Sequence, residues 1–160
     1  MTHHLAQVNI AKFRTPIGDP VNAEFIASLE RVNLLAETQP GYVWRLVGDG
    51  ANALDVKAFD DPDMAINMSV WTDMDALAAW VYRNEEHRAI MRRRREWFDA
   101  MDVYLALWWV PIGHTPTPEE AKAKLDLMAR LGPTAEAFTF KHPFPMPGAG
   151  SIAPILDKCA

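Results

Sequence analysis

The chain has 160 residues, 49% of them hydrophobic, and this length corresponds to about one domain with a sizeable core. It carries 16 basic and 21 acidic residues, a formal net charge of −5 with the histidines neutral. Non-specific binding to nucleic acid or to anionic membranes needs many basic side chains, so this balance argues against both kinds of partner. We expect a soluble, mildly acidic protein of one domain.

A single cysteine and the lack of a targeting segment indicate the cytoplasm. Cys159 has no second cysteine to pair with, so no internal disulfide can form, and a reducing compartment suits such a chain. The first residues show no charged segment followed by an apolar one, and no stretch approaches the roughly 20 apolar residues of a membrane span. We therefore expect a cytoplasmic protein.

The first half of the chain predicts three strands and one helix. Residues 5–13 alternate apolar and polar side chains with the period of a strand, and a helix follows with apolar residues at helical spacing over residues 25–36. Residues 42–47 form a short second strand, residues 51–63 show only a weak strand pattern, and residues 65–71 alternate clearly again. The first and third strands therefore each have one apolar and one polar face.

The second half predicts a long helical segment, a strand and a capped helix. The helical segment covers residues 73–98, and Asn84, which two glutamates follow, can cap a second helix, so one rod and two helices are alternatives. Residues 103–110 are apolar on both faces, as in a strand buried on both sides. Residues 117–131 begin with a threonine cap and a proline at the first helical position, and a glutamate three residues after the threonine completes a capping box. Residues 137–140 are a candidate last strand.

The order strand, helix, strand, strand, helix, strand is that of a ferredoxin-like βαββαβ unit, here with an added C-terminal helix. The predicted fold class is therefore α+β, with two helices on one face of an antiparallel sheet. We expect a single domain over residues 1–145 and a C-terminal tail over residues 146–160, ordered only where it docks.

The polar faces of the first and third strands indicate a pocket. We expect the helices to cover the apolar faces, which carry Ala6, Val8 and Ile10 in one strand and Ile66, Met68 and Val70 in the other. The opposite faces carry Gln7, Asn9, Asn67, Ser69 and Trp71. A solvent-facing sheet usually carries charged side chains, so this uncharged face predicts a half-enclosed pocket, with an exposed or dimer-covered face as the alternative.

Several runs of residues resemble a bacterial family of domains of unknown function, family 3291. Residues 107–121, 131–133 and 136–140 look like the C-terminal half of that family. The motif over residues 81–83, with His87 and residues 92–98, is similar to its central helix. The resemblance extends over about residues 3–145.

This resemblance implies a place among the dimeric α/β-barrel proteins, the superfamily of the antibiotic-biosynthesis monooxygenases. Their ferredoxin-like subunits pair sheet to sheet as homodimers and enclose small-molecule sites. Relatives in the superfamily include cofactor-independent monooxygenases, haem-binding and haem-degrading enzymes, and isomerases. The family itself has no agreed reaction, so the resemblance favours a fold and leaves the function open.

His87 is the most prominent candidate for chemistry. It lies on one helical stripe with Met91 and Phe98, where a histidine is either a hydrogen-bonded core residue or a functional one. Neutral imidazole can serve as a general base or as a metal ligand, and Asn84, Asn67 and Asn9 are the expected polar partners of this ring. The histidines lack local ligand spacing, so we predict no metal site.

The predicted site combines two polar catalytic candidates with a set of binding residues. The catalytic candidates are His87 and Asn67. The substrate-binding candidates are Gln7, Asn9, Ser69, Trp71, Tyr104, Trp108 and His114. Trp71 and Trp108 are either aromatic walls of the pocket or core residues. His114 lies in a proline-rich turn, where it either contributes to the site or stabilises the turn by a hydrogen bond. One arginine of residues 92–95 can hold an anionic substrate, while most of them are solvated or paired with acidic neighbours.

Two classes of function agree with these residues. The first is an enzyme, a monooxygenase-like oxidoreductase acting on a small aromatic or polyketide-like molecule. The second is a non-catalytic module for ligand binding or dimerisation. Haem is the cofactor to test, because a helical histidine facing a tryptophan-lined cavity resembles the haem-binding relatives. An enclosed pocket that His87 faces favours the enzyme.

Overall fold

The computed structural model describes residues 1–50, 52–151 and 153–155, and the predicted tail residues 156–160, with Cys159, lie outside this part of the chain. Four strands form one antiparallel sheet in the order β2-β3-β1-β4. The strands are β1 (His3–Lys12), β2 (Tyr42–Arg45), β3 (Met64–Trp71) and β4 (Leu105–Pro111). The helices are α1 (Ala23–Glu37), α2 (Met74–Arg83), α3 (Glu85–Arg92) and α4 (Pro118–Leu131). The predicted α+β class is confirmed.

The sheet has an apolar face and a mixed face. In the central pair, Val8 of β1 lies opposite Met68 of β3, and Gln7 lies opposite Ser69, so alternate residues point to opposite sides. The apolar face consists of Ala6, Val8, Ile10, Ile66, Met68, Val70, Ala106, Trp108 and Val110. The mixed face consists of Leu5, Gln7, Asn9, Asn67, Ser69, Trp71, Leu105 and Leu107.

The helices pack on the two faces of the sheet differently from the prediction. Helix α4 packs on the apolar face through Ala121, Leu125 and Met128, together with Leu46, Val56, Ala58 and Phe59. Helices α1 and α2 pack instead on the mixed face, around Trp71. The periodicity identified which side chains share a face, but the choice of helix depends on tertiary packing, and α4 supplies the aliphatic surface that the apolar face needs.

The predicted sheet-to-sheet dimer would need a free sheet face, and among the described residues the chain's own helices pack on both faces. The core residues of the apolar face are all buried in a single copy, and the mixed face stays exposed only in part, at Asn67. The homodimer itself stays a prediction, but α1 and α2 pack on part of the mixed face, through which the contact was expected.

The long helical segment breaks at Asn84. The backbone of Asn84 is extended, with φ −74° and ψ 120°, and its Oδ1 accepts the His87 backbone N–H at 3.1 Å. This cap starts α3 in a new direction, and a short 3₁₀ turn, Arg94–Glu96, replaces the last predicted helical turn. The break, which the sequence left open, therefore has a local cause in the asparagine.

Replacing Asn84 with alanine is expected to lower the free energy of unfolding by about 1 kcal/mol, because the first turn of α3 loses its side-chain acceptor. Asn84→Asp keeps a capping oxygen and is the matched control. Urea unfolding measures both variants. Equal losses in the two variants would show that the side chain does not act as a cap.

The predicted ends of α4 agree with the structure, whereas two weakly predicted strands do not form. Thr117 Oγ1 accepts the Glu120 N–H at 3.1 Å, and α4 ends at Gly132, whose φ of 69° suits glycine. Residues 51–63 contain no strand among those that are described, and the predicted strand over residues 137–140 is reduced to two isolated bridges, Phe138 with Leu107 and Ala137 with Thr134. Both segments contribute residues to the core but add no strand to the sheet.

The C-terminal segment docks beside β4. Trp109 Nε1 donates to the Phe144 carbonyl oxygen at 2.9 Å, and the Ile155 N–H donates to the Phe140 carbonyl oxygen at 2.9 Å. Among the residues that are described, no helix is both long and apolar enough to cross a bilayer.

Candidate functional site

A hydrogen-bonded row of polar side chains crosses the mixed face. Gln7 Nε2 donates to Asn67 Oδ1 and to Ser69 Oγ, both at 2.8 Å, and Trp71 Nε1 donates to the same Ser69 Oγ at 2.8 Å. Gln7, Asn67, Ser69 and Trp71 form what we call the polar row. The structure thus brings together four of the predicted site residues, and Asn9 lies opposite Asn67 in the strand register.

The polar row keeps hydrogen-bonding capacity that the protein does not use. Ser69 Oγ accepts two N–H groups, which occupy both lone pairs, so its own hydrogen is left to donate. Neither Gln7 Oε1 nor the Asn67 amide nitrogen has a partner among the described residues. Two donors and one acceptor are therefore available to a bound molecule.

The polar row opens to solvent at Asn67. Gln7 and Ser69 are only 7% and 8% exposed, whereas Asn67 is exposed although it lies in a central strand. Strand β2 ends at Arg45, which pairs with Ser69, so β3 has no strand neighbour on that side at Asn67. The opening follows from the shortness of β2.

Arg45 is a neighbour of the polar row that the sequence did not reveal. It lies opposite Ser69 in the register, and its largely buried side chain donates from Nε to Glu37 Oε1 at 2.8 Å. A shift in the register between Tyr42 and Trp44 places Tyr42 and Arg45 on the same face. Strict alternation along the strand would have placed them on opposite faces, so no period-2 pattern could find Arg45.

His87 is tied to the backbone, contrary to the predicted partners. Its Nδ1 lies 3.1 Å from the Val81 carbonyl oxygen, and the ring packs against Trp80 with 5.1 Å between centroids. Asn84 bonds only the backbone N–H of His87, and no bond joins the ring to Asn9 or Asn67. The imidazole caps a carbonyl at the end of α2, where the helix leaves its last acceptors unsatisfied.

Burial lowers the pKa of His87 to about 4, against the opposing effect of the hydrogen bond with the Val81 carbonyl. The ring is therefore neutral at pH 7, with its proton on Nδ1 as the donor. The connection between this ring and the polar row is indirect. His87 packs on Trp80, and Trp80 stacks on Trp71 with 6.3 Å between ring centroids. A base of such low pKa abstracts protons poorly near neutral pH.

The two predicted aromatic walls lie in the core. Trp71 is 1% exposed and Trp108 is 2% exposed, so a ligand reaches neither ring without displacing what covers it. Trp108 also lies on the apolar face, opposite the polar row. Both rings are therefore core residues rather than ligand walls. Trp71 contributes to the polar row only through its hydrogen bond to Ser69.

Trp108 and His114 meet at Glu120, away from the polar row. Trp108 Nε1 donates to Glu120 Oε1 at 2.8 Å, and His114 Nε2 lies 2.7 Å from Glu120 Oε2. Burial raises the pKa of Glu120, but the hydrogen bonds from His114 and Trp108 outweigh it and hold the pKa below its usual value. This carboxylate ties the turn before α4 to the apolar face.

Glu120→Ala is expected to lower the free energy of unfolding by about 1 to 3 kcal/mol, because the buried Trp108 N–H loses its acceptor. Glu120→Gln keeps an oxygen for the indole and should retain most of that stability. Thermal and urea unfolding of both variants measure the difference. The account of this contact is wrong if the glutamine variant is as unstable as the alanine variant.

Two arginines of the predicted run are paired with acidic side chains. Arg92 donates to Glu85 at 2.5 Å, and Arg93 binds Glu24 and Glu96. Arg94 donates to the Met91 carbonyl oxygen at 3.0 Å and also lines a groove of about 260 Å³ beside Tyr104, which is exposed and precedes β4. Tyr104 is therefore separate from the polar row. Within the described chain no three metal-ligating side chains come together.

A family profile decides the relationship of this chain to known proteins. The profile "Domain of unknown function (DUF3291)" matches residues 4–153. The chain belongs to the DUF3291 family. No curated protein matches it.

Three solved structures of low identity are similar to part of this DUF3291 chain. A conserved protein from Methanosarcina mazei Go1 is 13% identical, with a TM-score of 0.48, over 69% of this chain and 93% of that one. PA3566 from Pseudomonas aeruginosa is 12% identical, with a TM-score of 0.46, over 69% and 95%. NE2512, a protein of unknown function from Nitrosomonas europaea, is 15% identical, with a TM-score of 0.45, over 73% and 96%.

Proposed function

We propose that this DUF3291 chain binds a small, uncharged organic molecule over the polar row. The observation that carries the proposal is the Gln7 amide, which bonds both Asn67 and Ser69 and leaves two donors and one acceptor unused beside an opening. Gln7 Oε1 and the Asn67 amide nitrogen reach solvent, so a ligand with matching polar groups can replace water there, and a few convergent polar groups are typical of small-molecule sites.

The available groups define the kind of ligand. The Asn67 amide and the Ser69 hydroxyl donate, and Gln7 Oε1 accepts, which suits a carbonyl beside a hydroxyl. Leu105, which is partly buried and lies opposite Asn9, extends the mixed face beyond the row and favours an apolar or aromatic remainder. An aromatic or polyketide-like hydroxyketone combines these features.

A monooxygenase-like reaction of this ligand is the second candidate. The Asn67 N–H and the Ser69 O–H can stabilise the oxyanion of a phenol or enol, and such an electron-rich anion is the form that reacts with O₂. His87 does not serve as the base in this scheme, because its ring is held by Val81 and its pKa is about 4. Oxygen consumption with a bound phenol would support this candidate, and its absence would favour binding alone.

Haem does not fit the described residues. The bond with Val81 leaves only Nε2 of His87 for an iron, and the ring packs on Trp80. His87 lines neither of two surface grooves of about 330 and 260 Å³. A macrocycle larger than a drug-sized ligand requires the upper part of the roughly 300 to 1,000 Å³ range of ligand pockets. Haemin titration without a Soret shift agrees with this conclusion.

Fewer observations support the proposed ferredoxin-like subunit, homodimer and cytoplasmic location. The element order and the sheet order β2-β3-β1-β4 support a ferredoxin-like subunit. The homodimer rests on the family resemblance, and light scattering that gives a monomeric mass at micromolar concentration would contradict it. The cytoplasmic location rests on the single cysteine.

A melting-temperature titration tests the proposed site. The probe is 1-hydroxy-2-acetylnaphthalene, and the matched compound is 2-acetylnaphthalene, which lacks the hydroxyl. We expect the hydroxyketone to raise the melting temperature of the wild type more than the ketone does, and Asn67→Ala to abolish this difference.

The control variant is Asn33→Ala, which removes an asparagine from α1 and should leave the difference intact. Equal stabilisation by the two compounds, or an unchanged response in Asn67→Ala, would contradict the proposal. Both variants change partly or fully exposed residues, so they are expected to fold.

A further inference from the structure

A groove at the start of α2 has a different chemical character from the polar row. It has a volume of about 330 Å³ and lies between the turn of residues 39–41 and the first two turns of α2. Its walls include Pro40, Ala76, Ala79 and the side chain of Trp80. The groove therefore has mostly apolar walls, and none of the polar row's residues lines it.

The turn and the helix hold the groove in a fixed shape. Gly41 has a φ of 83°, and a Cβ at this position would lie 2.4 Å from the Ala76 Cβ and 2.6 Å from Thr72 Oγ1. The Gly41 carbonyl oxygen also accepts the Thr72 N–H at 2.8 Å. The turn is thus packed directly against the start of α2, and a ligand meets preformed walls.

The charge of the groove is negative. Asp73 and Asp75 line it, and its described lining includes no lysine, arginine or histidine. Asp73 caps α2, with Oδ1 accepting the Ala76 N–H at 2.8 Å. Asp75 is exposed, and its carboxylate has no hydrogen bond or ion pair among the described residues. The amino end of a helix carries about half a positive charge, which offsets only part of two carboxylates, so the groove favours a cation.

Trp80 adds a hydrogen-bond donor that the protein does not use. The residue is 8% exposed, and Nε1, its only polar side-chain atom, bonds to no other described residue. This atom is not fully enclosed, because it is absent from the enclosed polar atoms without a partner in the described part of the chain. A buried indole N–H usually finds a partner. Because Trp80 borders the groove, a bound molecule with an oxygen acceptor can supply that partner.

We propose that this groove binds a small primary amine that carries an aromatic body and an oxygen acceptor. The ammonium group donates charge-assisted hydrogen bonds to Asp75 and Asp73. The oxygen accepts the Trp80 N–H, and the aromatic body lies against Pro40 and Ala79. The site goes beyond the polar row, because its ligand is a cation and the two sites share no residue.

Calorimetric titration with three matched compounds tests the site. The probe is 2-phenoxyethylamine. The alcohol 2-phenoxyethanol lacks the ammonium group, and 3-phenylpropylamine has a methylene in place of the ether oxygen. We expect the wild type to bind the probe about five- to tenfold more tightly than the alcohol, because the alcohol makes no ion pair with the two carboxylates.

Three variants separate the contributions of the groove. Asp75→Asn should weaken the probe about three- to fivefold and leave the affinity for the alcohol unchanged. Asp126→Asn, the matched control, removes an exposed carboxylate from α4 on the other face of the sheet and should change neither affinity. Trp80→Phe removes the indole N–H and should lower the affinity of the probe relative to 3-phenylpropylamine about threefold.

Equal affinity of the wild type for the amine and the alcohol would overturn the proposal, as would equal effects of Asp75→Asn and Asp126→Asn. An unchanged affinity ratio in Trp80→Phe, or no binding of the probe at millimolar concentration, would overturn it as well. Both aspartates are exposed, so their variants are expected to fold and decide the outcome if Trp80→Phe is unstable. Because Asn67→Ala should not affect the probe, failure here is distinguishable from failure of the polar-row site.

Discussion

The protein is expected to lose roughly 3 kcal/mol of its free energy of unfolding between pH 7 and pH 4 through His87 alone. The pKa of His87 is about 4 in the folded chain, against the ordinary value of 6.5 when it is unfolded. Between these values the unfolded chain binds the proton and the folded chain does not. Stability therefore rises with pH in this window, is complete above 6.5, and falls as the pH drops towards 4.

The contribution of His87 is isolated by comparison with a variant that cannot titrate there. His87→Gln should show a smaller decrease in urea midpoint between pH 7 and pH 4.5 than the wild type does. His142→Gln, at an exposed histidine, should behave like the wild type. If the wild type and His87→Gln have the same pH dependence, the ring is not buried in its neutral form.

Trp71→Ala is expected to lower the free energy of unfolding by about 3 to 5 kcal/mol, the usual loss for a large buried aromatic. The Trp71 ring is 1% exposed, meets Tyr42 edge to face at 5.6 Å and stacks on Trp80 at 6.3 Å. Its loss leaves a cavity between the mixed face and α2, and it removes one of the two donors to Ser69.

Trp71→Phe is the matched control, because it keeps an aromatic ring and removes only the indole N–H and part of the volume. Its expected loss is clearly smaller than that of Trp71→Ala, and denaturant unfolding measures both. A loss below about 1 kcal/mol for Trp71→Ala would mean that the ring is not packed as described, since such small effects are typical of surface sites.

The members of the polar row were predictable from the sequence, but the helices that pack on their face of the sheet were not. Alternation along β1 and β3 placed Gln7, Asn67 and Ser69 on one face, and the observed register brings them into contact. Which helix covers that face depends on contacts between distant segments. Helix α4 covered the apolar face instead, and α1 with α2 covered the face that includes the row.

Local irregularities account for the other differences. The register shift in β2 turned Arg45 towards Ser69, and a shift of one residue moves a side chain to the opposite face. His87 found a carbonyl partner because the helix breaks at Asn84, three residues before it, and leaves the Val81 carbonyl near the ring. The capping potential of Asn84 was visible in the sequence, but the angle between α2 and α3 was not.

The polar row as a ligand site is tested most directly by side-chain amide resonances during titration with 1-hydroxy-2-acetylnaphthalene. The Gln7 and Asn67 side-chain amides carry N–H groups in the row, and two-dimensional ¹⁵N–¹H spectra resolve such groups. We predict concentration-dependent shifts of both amides, absent with 2-acetylnaphthalene at the same concentration. Shifts confined to residues near Tyr104, or no shift of either amide, would contradict the central claim.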